Sequence, residues 1–114
     1  MEQVKHARFD GRLVMVGFGS IGQAALPLIL RHIELPRERI RILAADDHGR
    51  KVAEEYGVKL AVNPLEPDNY LGILEPPLGK GDLLLNLSVD VSSAALIEFC
   101  LPRGILYLDA SIEP

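Results

Sequence analysis

The sequence predicts an α/β domain with a single doubly wound parallel sheet, and three observations predict it. Short, nearly continuous apolar runs recur along the chain, beginning at Leu13, Ile40, Val58, Leu83 and Ile105. Segments with apolar residues three and four apart lie between them, the spacing of helices that lay one face on a sheet. The glycine pattern Gly17-Phe18-Gly19-Ser20-Ile21-Gly22 falls where the first run ends and the first helical segment begins. Strands apolar on both faces belong to sheets covered on both sides, with right-handed crossovers between parallel neighbours. The expected architecture is one domain over residues 1–114, with five strands in spatial order 3-2-1-4-5 when numbered along the chain.

Each element has its own justification. Leu13-Val14-Met15-Val16 is a buried strand that stops at Gly17. The first helix places Ile21, Ala24, Ala25, Leu28, Ile29 and His32 on one face, with Pro27 expected to bend it but not to end it. Ile40 to Ala45 is the second strand, stopped by Asp46-Asp47. A weaker helix runs from about His48 to Tyr56, with Val52, Ala53 and Tyr56 inward and Gly57 as its stop. Val58 to Val62 is the third strand, followed by a proline-rich stretch whose one helical segment is Pro67 to Leu74. Leu83 to Leu87 is the fourth strand. Val91 to Leu101 is a helix with Ala94, Ala95, Ile97 and Leu101 available for packing, ended by Pro102-Arg103-Gly104. Ile105 to Asp109 is the fifth strand.

Size and charge exclude several classes of function. A chain of 114 residues and 12.5 kDa can hide roughly 12,000 Å² of surface on folding, enough for a core without staples. It is too short for a cofactor domain plus a full substrate domain. Twelve basic against sixteen acidic residues leave a net charge of −4, the wrong sign for a nucleic-acid footprint. The polar start and the absence of a long apolar run give neither a signal peptide nor a spanning helix, so a cytoplasmic location without membrane contact is expected. Cys100 is the single cysteine, which excludes an internal disulfide and a cysteine-based zinc site. Its apolar helical setting suits packing better than nucleophilic chemistry. His6, His32 and His48 lack the paired spacing of a metal site. Ser20 has no histidine partner nearby in sequence, and Tyr56 and Tyr70 are expected to pack.

The glycine loop has the spacing of a dinucleotide fingerprint, and its three glycines serve three needs. Gly17 allows a sharp turn off the strand, Gly19 lets backbone amides approach a pyrophosphate, and Gly22 lets the helix lie close to the sheet. The helix start, with Ser20 and Ile21, then offers unpaired donors and partial positive charge to the anion. Asp46 stands 24 residues beyond Gly22, at the end of the second strand, where a carboxylate accepts the hydroxyls of an adenosine ribose. It could instead cap the following segment and leave the ribose to Asp47. A carboxylate here repels a 2′-phosphate, which favours NAD over NADP, whereas Arg50 and Lys51 push the other way.

Ligands of open parallel sheets bind beyond the carboxyl ends of the strands, where strand order reverses. Asn86 and Ser88 end the fourth strand there, suited to the nicotinamide-side ribose or to the pyrophosphate. Asp90 fits ligand binding and helix capping equally well. Asp109 and Glu113, at the end of the fifth strand, suit either a cationic substrate or plain solvation.

Val14 to Gly22, Leu26-Pro27-Leu28-Ile29 with Arg31-His32, Asn86 to Ser93, and Leu106-Tyr107-Leu108-Asp109 with Ile112-Glu113-Pro114 together resemble the N-terminal, Rossmann-type NAD-binding part of bacterial homospermidine synthases. That family is related to the saccharopine dehydrogenases. The resemblance implies a transferase in which a hydride passes from putrescine to NAD, the resulting imine is captured by a second diamine with release of ammonia, and the hydride returns to give homospermidine. It also implies cofactor contacts from Gly17, Gly19, Ser20, Ile21, Gly22, Asp46, Asn86, Leu87, Ser88 and Asp109, and amine binding by Asp90 and Glu113. Members of the family continue into a catalytic C-terminal domain with dimer contacts, so this domain alone is expected to carry no catalytic residue and no turnover. An apolar face left open near the C-terminus would favour a homodimer.

Two other kinds of function share the glycine loop. A saccharopine dehydrogenase-like oxidoreductase would need an arginine for its amino-acid carboxylate, and Arg103 is the only late one. A nucleotide-sensing module would have no use for Asn86 to Ser93 or for Glu113. An S-adenosylmethionine site is disfavoured by the glycine spacing.

Overall fold

The computed structural model of the protein describes residues 7–88 and 92–109. In chain order the elements are β1 (Ala7–Arg8), β2 (Leu13–Val16), α1 (Ser20–His32), β3 (Ile33–Glu34), β4 (Ile40–Ala44), α2 (Arg50–Glu55), β5 (Lys59–Val62), α3 (Tyr70–Leu74), β6 (Leu83–Asn86), α4 (Ser93–Cys100) and β7 (Leu106–Asp109). The five-stranded sheet runs β5-β4-β2-β6-β7, every neighbouring pair parallel, which is the expected 3-2-1-4-5 order. The chain winds outward from β2 to β5, then returns to β6 on the other side of β2. β1 and β3 form a separate parallel pair.

β2 lies at the centre, and all four of its residues are buried. Alternation along the strands divides the core in two. Leu13, Met15, Ile40 and Ile42 face α1 and α2 with Leu26 and Ala53. Val14, Val16, Leu43 and Leu84 face α3 and α4 with Leu74, Leu96 and Phe99. At the amino end of β6 the buried Asp82 carboxylate accepts the backbone N–H of Arg12 at 2.8 Å and of Gly79 at 2.7 Å. These bonds compensate its burial and tie two loops together. Among the described residues no helix is long and apolar enough to cross a membrane.

Four local expectations are corrected. Helix α1 runs through Pro27 without interruption, but its inward face is Gly22, Ala25, Leu26, Ile29 and Leu30. Ile21 and Leu28, expected inward, are 44% and 55% exposed. Gly22 sets this rotation: a Cβ there would stand 2.9 Å from the Gly17 carbonyl, so the side without a side chain must face the strand end.

The helix expected from Pro67 spans only Tyr70–Leu74. The Asn69 side chain accepts from Glu66 N at 2.7 Å and donates to Pro64 O at 3.1 Å, holding the preceding residues in a turn that competes with helix. On α4 the packing residues are Leu96, Phe99 and Cys100, with Ala95 half-buried, while Ala94, Ile97 and Leu101 point outward. Leu101 has already left the α-helix for the 3-10 turn Leu101–Arg103, closed by left-handed Gly104. Finally, β7 is not covered on both sides. Tyr107 packs with the α4 core, whereas Leu106 and Leu108 on the opposite face are each 56% exposed.

Candidate functional site

The turn from β2 into α1 has the geometry its glycines require. Gly17 has φ +92° and donates its N–H to Leu43 O at 2.8 Å. A Cβ on it would stand 2.8 Å from Ser88 N and 2.9 Å from Ser88 Cα. Left-handed backbone and close approach of the β6 end therefore both demand glycine. Gly19 differs, because a Cβ there would meet nothing within 4 Å. It is the N-cap of α1, where no side chain caps the helix, and the first turn holds no acidic residue. The first helical bond shown runs from Gln23 N to Gly19 O at 2.9 Å, so the amides of Ser20, Ile21 and Gly22 precede the helical ladder and lie at the positive end of the helix dipole.

Phe18 anchors this loop from below, buried in the α1-side core. Gly49 lies against it so closely that a Cβ would be 2.4 Å from the Phe18 ring and 3.0 Å from its carbonyl oxygen. Gln23 Nε2 donates to that same carbonyl at 3.1 Å. The sequence reading missed Gly49; its signal was a glycine at the start of α2, three residues after Asp46.

A cleft of about 360 Å³ opens above the carboxyl ends of the strands, lined by Gly17, Ala45, Asn63, Leu65 and Ser88 among others. Asp46 follows Ala45 at its edge, with a side chain 61% exposed. Its Oδ1 accepts from His48 N at 3.0 Å, while the α2 N-cap is Gly49 without a side-chain bond. Asp46 thus orders its own turn and does not cap the helix. A larger cavity of about 930 Å³ lies elsewhere, between the β5 edge and the Pro76-Pro77 segment. It runs along β5 from Lys59 to Asn63, and Leu43 and Asn63 line both it and the cleft at the carboxyl ends.

On the other side of the glycine loop, β6 and β7 end in a chain of polar contacts. Asn86 is fully buried and pairs in register with Val16 and with Asp109. Its Oδ1 accepts from Ser88 N at 3.1 Å and from Ser88 Oγ at 2.6 Å. Its Nδ2 donates to Tyr107 Oη at 3.1 Å, and Tyr107 donates in turn to Asp109 Oδ2 at 2.8 Å. Ser93 Oγ donates to the same carboxylate oxygen. Burial is the main cause that raises the Tyr107 hydroxyl above its ordinary range, which keeps it a donor. Tyr107 is a site residue that sequence reasoning missed; a lone tyrosine in an apolar strand gave no sign beyond its position two residues before Asp109.

The residues singled out from sequence therefore divide. Gly17, Gly19, Ser20, Ile21 and Gly22 form the loop and helix start, and Asn86, Ser88 and Asp109 meet in one network. Leu87 buries its side chain in the α1-side core and donates its N–H to Val16 O at 2.8 Å, so only its backbone borders Gly17. Asp90 and Glu113 lie outside the described residues.

Residues 13–114 match the family model described as the saccharopine dehydrogenase NADP binding domain. The chain is 42% identical over 110 residues to a homospermidine synthase of Blastochloris viridis, covering 94% of this chain and 23% of that protein. It is 38% identical over 112 residues to the homospermidine synthase of Mesorhizobium japonicum, covering 96% of this chain and 23% of that protein. Among solved structures it resembles the homospermidine synthase of Legionella pneumophila in complex with NAD, with TM-score 0.87, 37% identity and coverage of 94% of this chain and 23% of that one. The chain thus spans about a quarter of the length of these relatives.

Proposed function

Since the chain belongs to the saccharopine dehydrogenase NADP binding domain family, we propose that it is the NAD-binding domain of a homospermidine synthase-like enzyme, one that makes homospermidine from putrescine with NAD as internal hydride carrier. The single observation that carries this reading is the uncapped start of α1, with open space over Gly19 and left-handed Gly17 held beneath the end of β6. This cradle fits a dinucleotide: backbone amides without a protein cap meet the pyrophosphate, and the glycines keep side chains out of its way. NAD supplies the place where a hydride is stored between oxidation of one diamine and reduction of the coupled product.

The chain's own residues account for binding and selection. Asp46 receives the adenosine ribose hydroxyls and repels a 2′-phosphate. Arg50, whose charge opposes that preference, directs its guanidinium to Leu60 O at 3.2 Å, toward β5. This supports NAD over NADP, as does the NAD complex of the Legionella relative. Asp90 and Glu113 serve as carboxylate partners for the ammonium groups of the diamine, in a cytoplasmic enzyme that works as a homodimer. Catalysis itself falls to the remainder of the longer protein, and this domain alone binds without turnover.

Arg103 gives the alternative of an amino-acid oxidoreductase no support. Arg103 lies at the amino end of β7, with its guanidinium 4.3 Å above the Phe99 ring and bonded to Phe99 O at 2.9 Å and Glu75 at 3.2 Å.

Calorimetric titration of the chain with NAD and NADP tests the proposal. NAD should bind the more tightly. Gly19→Val should abolish binding with the thermal midpoint unchanged, because a side chain at this position meets only space the cofactor would fill. Asp46→Ala should weaken NAD binding by about 1–3 kcal/mol and narrow its margin over NADP. Equal NAD affinity in wild type and Gly19→Val would remove the loop from the site and the proposal with it.

A further inference from the structure

The polar contacts at the ends of β6 and β7 have a direction that both of their ends enforce. At one end stands Asp109, a carboxylate that only accepts; at the other stands the Ser88 backbone N–H, which only donates. Between them the Asn86 amide must turn Oδ1 to Ser88 N and Nδ2 to Tyr107 Oη. Tyr107 then has its lone pair engaged by Asn86 and its proton on Asp109. The reverse orientation of Asn86 would set an NH₂ group against Ser88 N–H and call the Tyr107 proton away from Asp109. With Oδ1 fixed, the Ser88 hydroxyl proton also points to Asn86, at 2.6 Å.

Resting on the proposed dinucleotide reading, we infer that Tyr107 is a positioning residue: with Asp109 at one end and the Ser88 N–H at the other, it holds the polarity of the chain Asp109–Tyr107–Asn86–Ser88, so that Ser88 presents acceptor lone pairs to the cleft and takes a sugar hydroxyl of the ligand, not a phosphate oxygen. Ser88 lines that cleft, and its hydroxyl proton is already committed. A phosphate oxygen, itself an acceptor, finds nothing to receive from it. A ribose hydroxyl does.

The test uses the full chain, with NAD titrated calorimetrically into wild type, Tyr107→Phe, Ser88→Ala and the double variant. Exchange of the Ser88 amide is followed by NMR without nucleotide. Each single variant should weaken NAD binding about tenfold, and the double variant no further, because both act through one acceptor. Losses that multiply in the double variant, or a Tyr107→Phe affinity equal to wild type, would overturn the inference. Ser88 amide exchange should be about tenfold faster in Tyr107→Phe; equal rates overturn the inference even if the wild-type chain fails to bind NAD, an outcome that would separately sink the proposed function. With NAD analogues deoxygenated at one ribose or the other, one analogue should bind wild type and Ser88→Ala equally, and a Ser88→Ala loss that persists with both would refute the sugar contact. Should Tyr107→Phe not fold, Asp109→Asn takes its place with the same expectations, since an amide at that end no longer fixes the direction.

Discussion

Helices α1 and α4 follow β2 and β6, neighbouring central strands of one sheet, yet they begin in opposite ways. Helix α4 is closed at its start by Ser92, whose Oγ accepts from Ala95 N at 3.3 Å. Helix α1 begins at Gly19 with no side-chain cap. A missing cap costs a helix about 1 kcal/mol, and α1 offsets it by length and burial: it has 13 residues, and Leu26 and Gly22 are buried against β2. The difference teaches that a helix which offers its first amides to a ligand cannot also spend them on its own side chain, and must draw its stability from its packed face.

Substitutions can break this comparison or sharpen it. The largest effect is expected at Gly17, where a side chain meets both left-handed backbone and the Ser88 main chain. Gly17→Ala should destabilise the fold by about 2–4 kcal/mol in denaturant melts, in contrast to the tolerated Gly19→Val. A loss under 0.5 kcal/mol would mean that the β6 end is free to retreat, and that the loop is not braced as described. Ser92→Ala should remove the α4 cap at a cost of about 1 kcal/mol while leaving NAD affinity unchanged by calorimetry. If NAD affinity falls with it, the two helix starts are not separable in function.

The smallest effect lies at the far end of α4. Burial pushes the Cys100 thiol up to about 11 from an ordinary value of 9.0. The unfolded chain releases this proton first, so the folded chain holds more protons between those values and loses stability as pH rises through them. Wild type and Cys100→Ala should therefore differ in the slope of stability against pH from 9 to 11, wild type falling more steeply. Parallel slopes would show that the thiol does not report the burial of this end.

Much of the domain was readable from local pattern. The apolar runs gave the strands to within a residue or so, and their continuity gave a parallel sheet, because only strands buried on both faces can dispense with polar alternation. The glycine spacing located the ligand loop. Other features resisted for identifiable reasons. Periodicity pointed to the face of Ile21 and Leu28, and the close contact of Gly22 with the Gly17 carbonyl turns α1 to a different one. Asn69 shortened α3 through side-chain bonds to residues three and five positions back, which compete with helix and leave no mark on an apolar pattern. The apolar strand around Tyr107 carries no mark of its role, since its partner Asn86 is 21 positions away in the chain.

What the sequence determined by itself is the strands of the five-stranded sheet with their helices, their parallel order and the presence of a side-chain-free turn, because each follows from local sterics and from the burial of apolar groups; the short β1–β3 pair lies outside that pattern. What only the tertiary structure decided is how that turn is used. The approach of Ser88 to Gly17, the space left over Gly19 and the one-way chain from Asp109 to Ser88 all depend on strands brought side by side from distant parts of the chain. Hydrogen-bond direction is a property of such an assembled network, and no single segment carries it.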